Sequence, residues 1–247
     1  MVEKKSNNNI IEENYRYIRL EHPSVQAILK IAEEIIIGKN KVLDVKLLYY
    51  LSKKQLKLPR KGILDIINFL LNEKVLIEGS RLTRNSILSN QYRKRIYDFI
   101  INNIGSNFSL IRDKVHVDNN GNIGSPGHLA WHIEILLKFN FIKKIKYKNY
   151  TILAPNNLDD NEIIYYFLLR DKLNNEIIRV LIEYDQIKKS ELHNHLNIQR
   201  EIIYYRMNNL LEHKIILTSN NPHKIFINPI IKDKIIEILY NIKKDEN

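Results

Sequence analysis

Hydrophobic and polar positions repeat one seven-residue pattern three times along the chain. In each copy two aliphatic residues close a helical stretch, three mostly polar residues follow, and two apolar residues begin an extended stretch. The copies occupy residues 70–76, 136–142 and 210–216. Successive copies lie 66 and 74 residues apart, which is longer than the repeats of solenoid proteins. The pattern predicts three folded units of similar size.

Around the second copy, the spacing of apolar residues predicts three helices and a two-stranded hairpin. The helices are expected over 93–102, 108–115 and 126–139, and the strands over 141–146 and 150–153. Gly105 is expected to stop the first helix, and Ser125 with Pro126 to cap and start the third. Three helices followed by a hairpin are the order of a winged helix.

The third copy repeats this layout in full, and the first copy repeats it less well. The third predicts helices over 176–184, 191–196 and 199–213, and strands over 215–217 and 224–227 around a turn at 219–222. The first predicts helices over 25–37, 43–51 and 59–72. Its wing is reduced to 75–77 and 81–82 around Gly79, so the first unit is a poorer copy.

The predicted fold is therefore mainly α with small β-hairpin wings, built from three tandem winged-helix units and a C-terminal helix. The expected divisions are a tail over 1–21, a degenerate unit over 22–90, units over 91–155 and 156–229, and the helix over 230–247. One face of that helix carries an apolar stripe formed by Ile231, Ile235, Ile238, Leu239 and Ile242. The stripe fits either packing on the third unit or a homodimer contact.

Composition narrows the class of protein. The chain has 247 residues, 44 % of them hydrophobic, and contains no cysteine. The absence of cysteine excludes disulfides and Cys-ligated zinc, and it fits a reducing, cytoplasmic setting. No apolar stretch approaches the roughly 20 residues that span a bilayer, and residues 1–9 are polar, so neither membrane insertion nor secretion is expected.

The net charge of +11 favours an anionic partner, although abundant lysine, isoleucine and asparagine also fit codon bias in an AT-rich genome. Its distribution is more informative, because residues 22–90 and 91–155 each carry a net +6 and residues 170–229 only +2. The positive charge thus lies over the first two units, where a polyanion would bind. Asp159, Asp160 and Glu162 indicate a solvated linker or a helix N-terminus.

The stretch from Tyr92 to Pro229 resembles the archaeal tandem winged-helix transcription regulators of the MarR and ArsR style. The closest segment, 124–133, reads Gly-Ser-Pro-Gly-His-Leu-Ala-Trp-His-Ile and matches the opening of that family's recognition helix. Phe141 and Ile142 match the step into the wing. The resemblance implies a regulator that binds double-stranded DNA. One departure is the loop over 115–124, which is longer than the family's turn between the second and third helices.

The faces of the helix over 126–139 follow from 100° of rotation per residue. Four residues are expected to face the core: Leu129, Ile133, Leu136 and Leu137. Trp131 then points outward together with Lys138, while His128 and His132 lie toward one edge. An outward tryptophan fits contact with a DNA groove or with a partner protein.

Aligning the copies on their second leucine places Asp65, Trp131 and Tyr205 at one structural position. An outward Asp65 would repel phosphate, whereas the two aromatic residues are compatible with a groove or an interface. The next position holds Ile66, His132 and Arg206, so here too the first unit differs from the other two in a way that disfavours DNA contact. We therefore expect the first unit to be a scaffold or interaction module and the second to be the main DNA reader. An alternative is that Trp131 and Tyr205 pack against neighbouring units of the chain.

The expected DNA contacts lie on the third helix and wing of the second and third units. In the second unit they are Ser125, His128, Trp131, His132 and Lys138 on the helix and Lys143, Lys144, Lys146 and Lys148 on the wing. In the third they are Arg200, Tyr205, Arg206 and Lys224. The second-unit helix would enter the major groove while its N-terminus and the wing contact phosphates. The competing interpretation of the lysines is an ordinary solvated strand face.

Catalytic, metal and cofactor sites are not expected. His128 and His132 have helical i, i+4 spacing and His193 and His195 lie close together, but neither pair has a matched acidic third ligand. The seven glycines form no phosphate-binding loop. No nucleophile, base and orienting group come together in the sequence. The protein is therefore not expected to be an enzyme.

The leading functional prediction is a cytoplasmic, DNA-binding transcriptional regulator that forms a homodimer. The alternative is a protein-interaction scaffold, because tandem winged helices also build subunits of the endosomal sorting complex and of the general transcription machinery. RNA or single-strand binding is a weaker third hypothesis, since few of the 14 tyrosines lie on strands expected to be exposed.

Overall fold

The computed structural model describes residues 18–115, 125–219 and 224–245. The described residues are mainly helical and include two small antiparallel sheets, which confirms the predicted class at this level. The chain divides into two compact units. One comprises Met1–Lys94 and Trp131–Asn140, and the other comprises Arg95–Ala130 and Phe141–Asn247. Within the described ranges, no helix is long and apolar enough to cross a membrane.

The first repeat contains three helices, α1 (Pro23–Glu33), α2 (Val45–Gln55) and α3 (Arg60–Asn72). The Asp44 side chain caps α2 by accepting a hydrogen bond from the Leu47 amide at 2.8 Å, as expected for a short acidic side chain at this position. A single apolar cluster, which includes Ile28, Leu48 and Leu70, holds the helices together. The three helices were predicted, although α1 ends early and continues as a π-helical turn over Glu34–Gly38.

The predicted wing of the first repeat is wrong. Residues 75–82 form bends and turns rather than strands. Two backbone hydrogen bonds join this segment to Leu43. The Leu43 amide donates to the Ser80 carbonyl at 2.8 Å, and the Gly79 amide donates to the Leu43 carbonyl at 2.8 Å. The arms on either side of Gly79 are too short to build a ladder of cross-strand bonds.

The second repeat follows with helices, a short strand and a hairpin. In chain order its elements are α4 (Gln91–Asn102), β1 (Ser106–Asn107), α5 (Phe108–Val115), α6 (Pro126–Lys138), β2 (Ile142–Tyr147) and β3 (Tyr150–Pro155). The strands form an antiparallel sheet in the order β1, β3, β2. Gly105 has φ +81° after α4, consistent with its predicted role as a stop.

The third repeat has the same order of elements. They are α8 (Lys172–Tyr184), β4 (Gln186–Lys188), α9 (Leu192–Leu196), α10 (Arg200–Glu212), β5 (Ile216–Thr218) and β6 (Lys224–Ile227). Its sheet has the order β4, β6, β5, which corresponds strand for strand to the sheet of the second repeat. The first strand of each sheet was not predicted, because two or three residues are too few to show alternation.

Helix α7 (Asp160–Leu169) connects the second and third repeats. Asp159 caps it by accepting a hydrogen bond from the Asn161 amide at 2.8 Å, so the acidic cluster lies at a helix N-terminus, one of its two sequence interpretations. Helix α11 (Lys232–Asp245) packs on α7. Lys234 pairs with Glu162 at 2.8 Å, and Asn241 donates to the Tyr166 hydroxyl at 3.1 Å.

The apolar stripe of α11 is buried within its own chain. Ile235, Ile238, Leu239 and Ile242 all belong to the core shared with α7 and α8, and Ile231 packs against that core from the preceding turn. The sequence allowed two roles for this stripe, packing on the third repeat or a homodimer contact. In the structure it packs on the third repeat. The outward face of α11 carries Ile236 and Tyr240, both exposed.

The seven-residue pattern corresponds to a shared way of ending a helix. The third residue after each leucine pair, Lys74, Asn140 or Lys214, has φ +54°, in the left-handed region. In the first and third repeats the next amide bonds back to the first leucine, Val75 to Leu70 at 3.0 Å and Ile215 to Leu210 at 2.9 Å. This is the Schellman arrangement, in which an apolar residue beyond the cap packs on the last turn. The repeat is thus a helix-capping signal.

Candidate functional site

Helix α6 presents the face that its periodicity predicted. Leu129, Ile133 and Leu136 are buried. Trp131 is 55 % exposed, and three further candidate DNA contacts are exposed: Ser125, His128 and Lys138. The first turn of this helix begins at Ser125, whose carbonyl accepts from the His128 amide at 3.1 Å. The outer face therefore combines a large aromatic ring with polar and cationic side chains.

His132 does not lie on the exposed edge of α6, and that expectation is wrong. Its side chain is 2 % exposed. The ring packs edge-on against Tyr92 at 4.9 Å and against Trp131 at 4.7 Å between centroids. The aligned residue Ile66 is buried too, so this position of the repeat turns inward and His132 cannot touch DNA without leaving its packing.

The Trp131 ring lies next to a buried arginine. The guanidinium carbon of Arg93 lies 5.6 Å from the centre of the Trp131 ring, within cation–π range. Arg93 is itself buried and donates to the Ile87 carbonyl at 2.8 Å. Burial lowers the pKa of Arg93 from its ordinary value. One side of the indole is therefore fixed while the other side remains open to solvent.

The lysines of strand β2 divide between its two faces. Lys144 and Lys146 are exposed, two residues apart and so on one side of the strand. Lys143 faces the other way and is half-buried, with its amine donating to the Leu158 carbonyl and pairing with Asp160 at 2.6 Å. Only two of these three lysines thus point outward, which the run of basic residues alone did not distinguish.

Lys148, at the tip of the hairpin, contacts the third repeat. Its amine donates to the side-chain oxygen of Asn209 and lies 3.5 Å from Glu212. It also lies 6.0 Å from the centre of the Tyr205 ring. The prediction of an open phosphate-binding lysine at this position is therefore corrected, because three residues of α10 surround it.

The candidate residues of the third repeat are also engaged within the chain. Arg206 pairs with Asp171 at 3.0 Å, and Arg200 donates to His193 at 3.3 Å. Lys224 is half-buried in β6, whereas Tyr205 is 59 % exposed. Two cations of helix α10 are thus engaged within the chain, while its aromatic residue Tyr205 remains largely exposed.

The remaining sequence predictions concern Asp65, the possible metal-binding histidines and two loops. Asp65 is half-buried rather than central on an exposed face. His195 packs on Tyr184, with ring centroids 4.7 Å apart, and among the described residues no group of three His, Cys, Asp or Glu side chains could hold a metal ion. The long loop of the second repeat at 116–124 and most of the predicted turn at 219–222 fall outside the described residues.

Comparison with known proteins gives one relative that is similar in sequence. An uncharacterized helix-turn-helix-type transcriptional regulator from Methanocaldococcus jannaschii is 28 % identical to this chain over 174 residues. The aligned part is 67 % of this chain and 41 % of that protein, so the chain spans less than half of the relative's length. No protein-family model and no solved structure matches the chain.

Proposed function

We propose that the chain is a DNA-binding transcriptional regulator in the MarR and ArsR style, acting in the cytoplasm and built from two tandem winged-helix units that follow a three-helix unit without a wing. The observation that carries the proposal is the shared order of elements and strands in the second and third repeats. Helix, strand, helix, helix and two strands are the order of winged-helix DNA-binding modules. The similarity to a helix-turn-helix regulator supports the same interpretation.

Helix α6 is the proposed recognition helix. Its exposed residues Ser125, His128, Trp131 and Lys138 combine polar, cationic and aromatic chemistry suited to a groove. Lys144 and Lys146 on the outward face of β2 would contact phosphates. Helix α10 has a smaller role in the proposal, because Arg206 and Lys148 are already paired. The proposed unit boundaries are 22–90, 91–155 and 156–229.

The first test is the salt dependence of binding to a fluorescently labelled mixed-sequence duplex. If the second repeat neutralises about 4–6 phosphates, the log–log slope of affinity against salt should be about −4 to −5. A flat dependence, or no binding at low salt, contradicts the proposal.

Matched lysine variants locate the contact. Lys144→Gln and Lys146→Gln should each reduce the steepness of the slope by about one, because both amines lie on the outward face. Lys143→Gln removes the same charge from the opposite face, where Asp160 already pairs with it, and should leave the slope nearly unchanged. Equal effects of all three substitutions would indicate general charge attraction rather than a wing contact.

The first repeat supports a second, protein-binding role. Four of its large apolar side chains are exposed: Ile37, Val42, Tyr50 and Leu64. A protein partner would cover such side chains, because apolar residues supply the core of protein interfaces. If the chain is a protein-interaction scaffold instead of a regulator, the duplex measurement above will show no binding while the first repeat still captures a protein partner.

A further inference from the structure

A run of positive charge lies on the second and third helices of the first repeat. Residues 45–64 contain six basic residues and no acidic one. All six are exposed, and we refer to them as the basic corner: Lys46, Lys53, Lys54, Lys57, Arg60 and Lys61. Within the described part of the chain, none of the six forms a salt bridge. Their charge is therefore available to an anionic partner.

Five of these cations lie close together. Lys53 and Lys54 belong to the last turn of α2, Arg60 and Lys61 to the first turn of α3, and Lys57 to the segment between. The two helices pack against each other. Because six residues of chain extend about 20 Å at most, Lys54 and Arg60 are no farther apart than that. The junction of α2 and α3 thus concentrates positive charge.

The stability of the two helices explains only part of this charge. A cation stabilises the C-terminus of a helix and destabilises its N-terminus, because of the helix dipole. Lys53 and Lys54 therefore stabilise α2, whereas Arg60 and Lys61 lie at the unfavourable end of α3. Neighbouring like charges also repel one another. A negatively charged partner would remove both penalties.

Each helix also exposes one apolar side chain among these cations. Tyr50 is 62 % exposed and lies one turn from both Lys46 and Lys54 on the same face of α2. Leu64 is 39 % exposed and lies one turn after Arg60 on α3. Apolar side chains surrounded by polar ones are the arrangement of a protein interface, where tyrosine is favoured among the residues that dominate binding.

Three features of the first repeat favour a protein partner over a DNA duplex. Residues 75–82 form bends and turns, so this repeat has no wing to contact phosphates. Asp65, half-buried beside Leu64, would repel phosphate. In a helix-turn-helix the helix before the recognition helix crosses the DNA backbone, where phosphates would offer little apolar surface to Tyr50.

We propose that the basic corner binds an acidic, amphipathic segment of a partner protein. Carboxylates of the segment pair with the cations at the junction of α2 and α3, and its apolar side chains cover Tyr50 and Leu64. This inference rests on the proposed protein-binding role of the first repeat and gives that partner its chemistry. The proposed DNA contact of the second repeat does not depend on it.

Fluorescence anisotropy on the full chain tests the proposal with a labelled synthetic peptide. The probe is an amphipathic peptide of about 15 residues with leucines at i, i+3, i+4 and i+7 and glutamates at most other positions. One control peptide has serine in place of leucine, and the other has glutamine in place of glutamate. Each control should bind at least about tenfold more weakly. No binding of the probe at millimolar concentration, or equal binding of the serine peptide, overturns the proposal.

Matched charge reversals locate the binding surface. Lys54→Glu with Lys61→Glu alters the basic corner, whereas Lys144→Glu with Lys146→Glu makes the same change of charge on β2. Measured at about 0.15 M salt, where charges more than about 8 Å apart are largely screened, the first pair should weaken peptide binding at least about tenfold. The same pair should leave duplex binding nearly unchanged, and the second pair should show the reverse.

Two results of this comparison contradict the proposal. Equal weakening of peptide binding by both pairs indicates general charge attraction, and loss of duplex binding in the first pair shows that the basic corner contacts DNA instead. Failure of the proposed DNA-binding function has a separate signature, because the unaltered chain would then not bind the duplex while its peptide binding is kept.

A charge-swapped peptide separates a specific contact from damage to the fold. With lysines in place of its glutamates, the peptide should bind Lys54→Glu with Lys61→Glu more tightly than it binds the unaltered chain. Tyr50→Ala should weaken binding of the acidic peptide about fivefold, whereas Tyr240→Ala, which removes an exposed ring of α11, should not. Equal effects of the two tyrosine substitutions, or no such preference of the basic peptide, overturn the proposal.

Discussion

At the scale of single residues, three left-handed positions explain the most regular feature of the sequence. Lys74, Asn140 and Lys214 share φ +54°, and each follows a pair of leucines that ends a helix. The leucines and the apolar residue beyond the cap are set by packing, which is why they recur. The residue at the cap itself is set by backbone geometry, where asparagine is tolerated better than lysine. Only glycine is free of the penalty.

Lys214→Gly should therefore stabilise the protein. A side-chain-bearing residue in the left-handed region costs about 1–2 kcal/mol, and part of that gain is offset by the greater freedom of glycine in the unfolded chain. We expect a net gain of about 0.5–1 kcal/mol in urea unfolding. Asn140→Gly is the matched control and should gain less, because asparagine already tolerates this conformation. A larger gain at Asn140 would contradict the backbone explanation.

Some features of the candidate site follow from the local sequence, whereas others depend on contacts with residues distant in the chain. The periodicity of α6 was sufficient to place Trp131 outward. It was not sufficient for His132, whose burial depends on Tyr92, a residue from another helix. Likewise, the partners of Lys143 and Lys148 lie 17 and 61 residues away. The local pattern of apolar residues therefore predicts which side chains lie on the outer face of an element. Contacts with residues distant in the sequence decide which of those side chains remain exposed.

At the scale of elements, amphipathic helices were predicted and elements without a clear period were not. Residues 163–169 of α7 form an unbroken apolar run, which lacks the alternation that marks one helix face. Strands β1 and β4 have two and three residues and exist only because β3 and β6 pair with them. The first wing was predicted from two short segments on either side of Gly79, which are too short to form a ladder of cross-strand hydrogen bonds.

Helix α11 offers a test of packing at this scale. Ile238→Ala removes a fully buried side chain between α11 and the core and should cost about 2–5 kcal/mol. Ile236→Ala, on the exposed face of the same helix, should change the free energy of unfolding by less than about 1 kcal/mol. Light scattering on both variants tests the homodimer predicted from the sequence. If Ile236→Ala lowers the apparent mass while unfolding stability is kept, the outward face of α11 holds a second copy of the chain.

At the scale of the whole molecule, the contact between the second and third repeats should make stability depend on pH. His213, just after α10, packs on Tyr147 of the second-repeat hairpin with ring centroids 5.1 Å apart. Burial is the largest cause that lowers the pKa of His213 below its ordinary value, while Glu212 raises it and Lys148 lowers it further. The folded protein therefore favours the neutral imidazole, and its Nε2 is buried without a hydrogen-bond partner in the described part of the chain.

The sign of the effect follows from this depressed pKa. The unfolded chain binds a proton at His213 below a pH of about 6.5, where the folded chain still resists protonation. The stabilisation is thus fully present above about pH 6.5 and is lost as pH falls toward the folded-state pKa. Thermal unfolding followed from pH 7.5 to pH 5 should show this loss. In His213→Gln the decline should be shallower, whereas His195→Gln, which removes an exposed imidazole, should keep the decline of the parent protein. Parallel declines in all three proteins would mean that carboxylates, and not the buried imidazole between the repeats, set the acid sensitivity.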